Sequence, residues 1–187
     1  MQKEIKEALN ILRKGGTILY PTDTIWGIGC DATNSESVNK IYSIKKRDPQ
    51  KSMLILVSDV FMAERYLDEF PDIAEQLFET SDTPLTLILD GAINLADNLP
   101  ADNGSIGIRI PDDPFCQELI HQFRKPIVST SANFSGEESP TSFQDVNEDL
   151  KEAIDYTVIW KQDEPPVNKT SSIIKLGKSG EIKVLRK

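Results

Sequence analysis

Histidine is all but missing from these 187 residues: His121 stands alone. It lies off the apolar stripe Phe115, Leu119, Ile120 and Phe123 of an expected helix. It therefore reads as a surface residue, and a Ser-His-Asp triad has no histidine to use. Cysteine is nearly as scarce. Cys30 and Cys116 cannot frame a disulfide scaffold, and with one histidine they supply no zinc set. Both read as packing residues, which fits a reducing, cytoplasmic setting. No apolar run approaches the ~18 residues of a membrane span. The start, Met1-Gln-Lys-Glu-Ile-Lys-Glu, lacks a signal peptide's apolar stretch, so no membrane is expected. A G-x-x-x-x-G-K-[ST] phosphate loop is also absent. Gly27-Ile-Gly29-Cys-Asp-Ala32 has the letters of a dinucleotide fingerprint. Its glycines fall inside a strand pattern, however, and Arg47 occupies the place of the ribose-binding acid. Bases are the minority, 21 Lys and Arg against 30 Asp and Glu, for a net charge of −9. That total argues against a simple nucleic-acid coat.

The charge that is present is unevenly spread. Residues 59–82 and 137–164 each carry net −7, and the other 135 residues together carry +5. The acidic blocks read as solvated helix faces. The remainder predicts a basic front, provided that its cations converge in space.

Hydrophobic spacing alternates between helix and strand. Ile5, Ala8, Leu9 and Leu12 mark an opening helix stopped by Gly15-Gly16. Strands are expected at 17–20, 25–30, 53–57, 85–89, 105–110, 126–130, 156–160, 172–176 and 182–185. Thr33 and Glu36 have capping-box spacing before a helix ending near Arg47. Two short helices split at Pro71 are expected over 59–80, and Ser142 is read as the cap of a helix carrying Val146 and Leu150. No repeat or composition break divides the chain. The expectation is one domain over residues 1–187: an α/β fold with a twisted, open, mixed sheet and flanking helices. A domain of this length buries about 70% of its unfolded surface and needs no staple.

Chemistry is left to polar loops. Pro21-Thr-Asp-Thr24 follows a buried strand, where open α/β sheets bind ligands. Lys45-Lys46-Arg47 closes a helix, as cations often do. With Lys51 it would also clamp phosphate. Arg109 interrupts the apolar strand Ile106-Gly-Ile-Arg-Ile110. If it points inward it needs an anion, and no acid is adjacent before Asp112, so a ligand carboxylate or phosphate is a candidate. Ser129-Thr-Ser-Ala-Asn133 runs into Phe134-Ser135-Gly136, a loop rich in hydroxyls that suits an anion or nucleotide, or simply a turn.

In this order the loops resemble the YrdC-like threonylcarbamoyl-AMP synthase family. The resemblance rests on Tyr-Pro-Thr-Asp-Thr at 20–24, Gly-Ile-Gly-Cys-Asp-Ala at 27–32, Lys45-x-Arg47, Pro-Leu-Thr at 84–86, Ile-Gly-Ile-Arg-Ile-Pro at 107–111 and Ser-Thr-Ser-Ala-Asn-Phe-Ser-Gly at 129–136. It implies an open α/β sheet with a large concave basic surface. It also implies synthesis of threonylcarbamoyl-AMP and pyrophosphate from L-threonine, bicarbonate and ATP, with Mg²⁺. Partner proteins would then pass the threonylcarbamoyl group to tRNA. The alternative is a tRNA- or double-stranded-RNA-binding module without synthase activity. By the same resemblance, Lys45, Arg47, Ser131 and Asn133 form the catalytic motif pair. Thr24, Arg109, Ser129 and Ser171 bind threonine. Arg47, Lys51, Ser105, Ser131, Ser139 and Arg186 bind ATP. Several residues depart from the family pattern. Trp26 replaces a tyrosine, Leu56 replaces a histidine of longer members, and Ser-Asp-Thr-Pro at 81–84 replaces a Gly-Pro turn. Ser171-Ser-Ile-Ile-Lys175 replaces Ser-Thr-Ile-Val-Asp, and the second domain of longer members is not expected.

Overall fold

The computed structural model describes residues 1–165, 170–177 and 181–187. Lys169 and Lys178, counted in the basic remainder, lie outside them.

The elements follow the expected alternation. They are α1 (Gln2–Arg13), β1 (Ile18–Tyr20), β2 (Gly27–Gly29), α2 (Ser35–Lys45), β3 (Leu54–Leu56), α3 (Val60–Glu64), α4 (Asp72–Thr80), β4 (Leu85–Leu89), β5 (Ile106–Arg109), α5 (Pro114–Phe123), β6 (Ile127–Ser131), α6 (Glu148–Glu152), β7 (Tyr156–Thr157), β8 (Ser172–Leu176) and β9 (Ile182–Arg186). The strands form one nine-stranded sheet in the order β7-β1-β2-β6-β3-β5-β4-β8-β9. It is mixed, as the sequence pattern requires. β1/β7, β3/β5 and β4/β8 are parallel pairs, and the other five are antiparallel.

Strand periodicity divides the two faces. Ile106 and Ile108 are fully buried on one face, and Gly107 and Arg109 point to the other. The apolar stripes of α1 and α5 are buried too and belong to the same core. β2 is closely covered by its neighbours. A Cβ on Gly29 would lie 2.5 Å from the Val128 carbonyl oxygen and 2.9 Å from the Tyr20 ring, so only glycine fits.

Several local expectations need correction. The α2 cap is Asn34 rather than Thr33, because the Asn34 side chain accepts from the Glu36 and Ser37 amides. The helix stops at Lys45, with Lys46 in the left-handed region. Ser142 heads no helix. It joins a turn closed by Asp145, and the helix begins six residues later at Glu148 under an Asn147 cap. The acidic block 137–164 is therefore mostly loop, since only the five residues of α6 repeat at helical spacing. The strands expected at 25–30 and 156–160 shrink to three and two residues.

Candidate functional site

The sheet face away from the α1 and α5 stripes carries a cavity of about 340 Å³. Its floor is laid by alternate residues of neighbouring strands: Leu54, Thr86 and Ile88, Gly107 and Arg109, Ser129 and Ser131. Loops then close the sides. The structure brings Thr24, Arg47, Ser105, Arg109, Ser129, Ser131, Ser139, Ser171 and Arg186 onto this one lining. Lys45, Lys51 and Asn133 do not line it.

Arg109 is 5% exposed. Its anion belongs to the chain, not to a ligand alone. Nη2 donates to Asp23 Oδ1 in a buried ion pair. Nη1 donates to Thr24 Oγ1 at 2.9 Å. The sequence pointed to an external anion because Asp23 is 86 residues away. Thr22 Oγ1 donates to the Ile25 carbonyl at 2.8 Å and lies 2.9 Å from Thr24 Oγ1. With the Thr22 proton so used, the Thr24 hydroxyl donates to Thr22 and accepts from Arg109. Thr24 thus offers a ligand a lone pair.

The opposite wall is looser. Arg47 is half-buried, and its guanidinium donates to the Lys51 and Ser52 carbonyls at 2.8 and 3.0 Å. Ser139 and Arg186 are exposed. Arg186 Nε donates to the Ser171 carbonyl at 2.9 Å and Nη2 reaches Ser171 Oγ at 3.2 Å. Ser171 Oγ also meets Thr86 Oγ1 at 2.8 Å, which links the two walls. Ser105 Oγ donates to Asn103 Oδ1 at 2.8 Å. Partial desolvation of its guanidinium at the cavity, and after it the nearby Arg109, holds Arg186 below the usual guanidinium range although the residue as a whole is exposed. Burial does the same to Arg47. Three arginines face one space, and no carboxylate among the described residues lines it. An anion entering here gains charge-assisted hydrogen bonds and relieves repulsion.

Lys45 and Asn133 sit behind the wall. Lys45 is 1% exposed. Its Nζ donates to the Ser131 carbonyl and, at 2.6 Å, to the Asn133 carbonyl. The Lys45 carbonyl accepts the Ser135 amide at 2.9 Å, and Lys46 Nζ rests 4.8 Å from the Phe134 ring centroid. Asn133 Nδ2 donates to the Phe134 and Glu137 carbonyls. The end of α2 is in effect riveted to the 131–137 loop. Burial and the Arg47 charge pull the Lys45 ammonium down to about 8. Lys51 is exposed, and its carbonyl serves Arg47.

The reading from sequence gave no role to Asp23, Thr86, Trp26 or Ser52. Thr86 was findable, since it follows Pro-Leu at a strand start with its hydroxyl on the alternate face. Trp26, a departure from the family pattern, lines the cavity and packs on Phe143 with ring centroids 4.9 Å apart.

Comparison with known proteins matches the sequence and the fold to a family. The family model Sua5/YciO/YrdC, described as "Telomere recombination", covers residues 10–187. The threonylcarbamoyl-AMP synthase of Psychromonas ingrahamii is 34% identical over 153 residues, 80% of each chain. That of Pseudoalteromonas translucida is 30% identical over 185 residues, 97% of each chain. The crystal structure of P. abyssi Sua5 with L-threonine superposes with a TM-score of 0.83 at 26% identity, over 94% of this chain and 52% of that one. This chain therefore spans about half the length of Sua5.

Proposed function

The chain belongs to the Sua5/YciO/YrdC family, and on that premise we propose that it is an L-threonylcarbamoyladenylate synthase acting as one YrdC-like unit over residues 1–187. The observation that carries the proposal is the cavity itself, in which three arginines and a ring of hydroxyls share one lining without a carboxylate.

The chemistry suits such a site. The threonine amine attacks the bicarbonate carbon, and loss of water leaves an N-carboxylate. An oxygen of that carbamate attacks the α-phosphate of ATP, and pyrophosphate leaves. Neither step needs a protein nucleophile. Each brings anions together, so the protein must hold them and offset their charge. Arg109 and Thr24 take the threonine, the first through its carboxylate, and Ser129 and Ser171 complete that side. Arg47, Arg186, Ser105, Ser131 and Ser139 take the nucleotide, with Lys51 reaching in from the rim. Lys45 and Asn133 act as positioning residues that fix the loop bearing Ser131.

No group of three or more His, Cys, Asp or Glu among the described residues is arranged to hold a metal. No carboxylate among the described residues lines the cavity, so its lining offers Mg²⁺ no anionic ligand, and Mg²⁺ would enter with the triphosphate as substrate. The product would serve partner proteins that modify tRNA. The two buried, unpaired cysteines suit a reducing cytoplasm.

The deciding measurement is pyrophosphate release by the purified protein with ATP. Release should require both threonine and bicarbonate. Release indifferent to either one would sink the proposal.

A further inference from the structure

Asp23 stands at the centre of the loop that supplies Thr24, and the synthase chemistry gives it no task. We propose that Asp23 is a positioning residue that aims Arg109 at the substrate carboxylate and so sets threonine affinity. This rests on the synthase reading above, which makes Arg109 the group that meets threonine.

The side chains of Arg109 and Asp23 are 6% and 10% exposed, so their contact is shielded from water. Asp23 does not line the main cavity. It lines a separate pocket with Phe78, Leu85, Ile110 and Gln117. The carboxylate therefore reaches the guanidinium from behind, while Arg109 itself faces the main cavity. Thr24 holds Nη1 and Asp23 holds Nη2. A guanidinium fixed at two nitrogens loses the swing of a long side chain. One N–H on each terminal nitrogen and the Nε–H remain. The Nε–H has no partner among the described residues although it is buried. These are the donors that a second carboxylate would use. Asp23 Oδ2 is likewise without a partner there, so the aspartate spends one oxygen on the pair.

A bystander and a competitor are the other possibilities. An Asp23 that merely filled space would not need a charged partner at 10% exposure, given the cost of burying charge. A competitor would occupy the ligand's side of the guanidinium, and Asp23 occupies the far side.

The test compares wild type, Asp23→Asn and Asp23→Ala in threonine-dependent pyrophosphate release, with thermal melting of each. Asn keeps the size and an acceptor oxygen and removes the charge. Threonine KM should rise in graded fashion, about threefold for Asn and about tenfold for Ala, with ATP KM unchanged. If Ala does not fold, Asn decides. Unshifted threonine KM in the folded variants overturns the assignment. So does tighter threonine binding, which would mark a competitor, and so does a parallel rise in both KM values with a lowered melting temperature, which would mark scaffold alone. Wild type that ignores threonine removes the synthase reading and this proposal with it. Wild type that depends on threonine beside an unshifted Asn variant removes this proposal only.

Discussion

Arg109 and Arg47 look into the same cavity from different circumstances. Arg109 is 5% exposed and is answered by a carboxylate of its own chain. Arg47 is half-buried, and its guanidinium donates to backbone carbonyls of the turn beneath it. The difference follows from desolvation. A buried guanidinium without a counter-charge costs the fold several kcal/mol, about 3–5 when one partner of a pair is removed. A half-buried one keeps enough water to wait for a ligand. On the proposed assignment, the threonine wall is set before binding, and the nucleotide wall would acquire its counter-charge from the nucleotide. Mutations should tell the walls apart.

The largest effect is expected at Arg109. Arg109→Met leaves Asp23 charged, buried and alone, which costs about 3–5 kcal/mol of folding stability. Threonine binding is lost as well. Urea denaturation and calorimetry measure the two. Loss of threonine binding at unchanged stability would show that the pair is not an internal necessity, and the contrast between the walls would collapse.

Lys45 comes next, because it too is internally committed. Lys45→Met removes the donor to two carbonyls, and buried groups left unsatisfied cost about 1–3 kcal/mol each. The pH dependence is specific. The folded chain releases this proton near 8, against 10.5 for the free side chain. Between those values the unfolded chain binds more protons, so stability rises with pH. The neutral amine still donates two N–H bonds, so both carbonyls remain served. Wild-type stability should accordingly gain on Lys45→Met in urea titrations as pH climbs from 8 towards 10.5. A gap that stays flat instead would place the ammonium in water, and one that narrows would mean that the fold favours the charged form.

These long-range ties mark the limit of what the sequence discloses. Periodicity placed Arg109 on the opposite face from Ile106 and Ile108, and the Pro-Thr-Asp-Thr loop at a strand end. The partners were hidden, because Asp23 meets Arg109 only through the strand order β1-β2-β6-β3-β5. Nothing local encodes that order. Lys45 shows the same limit. Its charge at a helix end looked like a phosphate ligand, whereas its contacts lie 86 and 88 residues away. Charge counting failed differently at 137–164. A block of acids has helical character only if apolar residues repeat beneath it, and here they do so briefly.

Arg47→Ala should reverse the Arg109 pattern. ATP affinity falls by about 1.5–3 kcal/mol, the weight of a hydrogen bond to a charged group. Stability should stay within about 1 kcal/mol, because the lost carbonyl bonds are replaced by water. Calorimetry with ATP beside a urea curve checks both. A large stability loss would make Arg47 as internal as Arg109.

The smallest effect belongs to Lys51. Its side chain is exposed, so its attraction to a triphosphate acts through water and is screened. Lys51→Ala should weaken ATP binding by under about 1 kcal/mol at low salt. The deficit should fade as ionic strength rises, while that of Arg47→Ala persists, since Arg47 meets the anion out of bulk solvent. Calorimetric titrations across a salt series distinguish the two. A salt-insensitive deficit at Lys51 would mean that the ligand draws this rim residue into the cavity. The nucleotide wall would then close on its substrate and approach, after binding, the buried state that the threonine wall has beforehand.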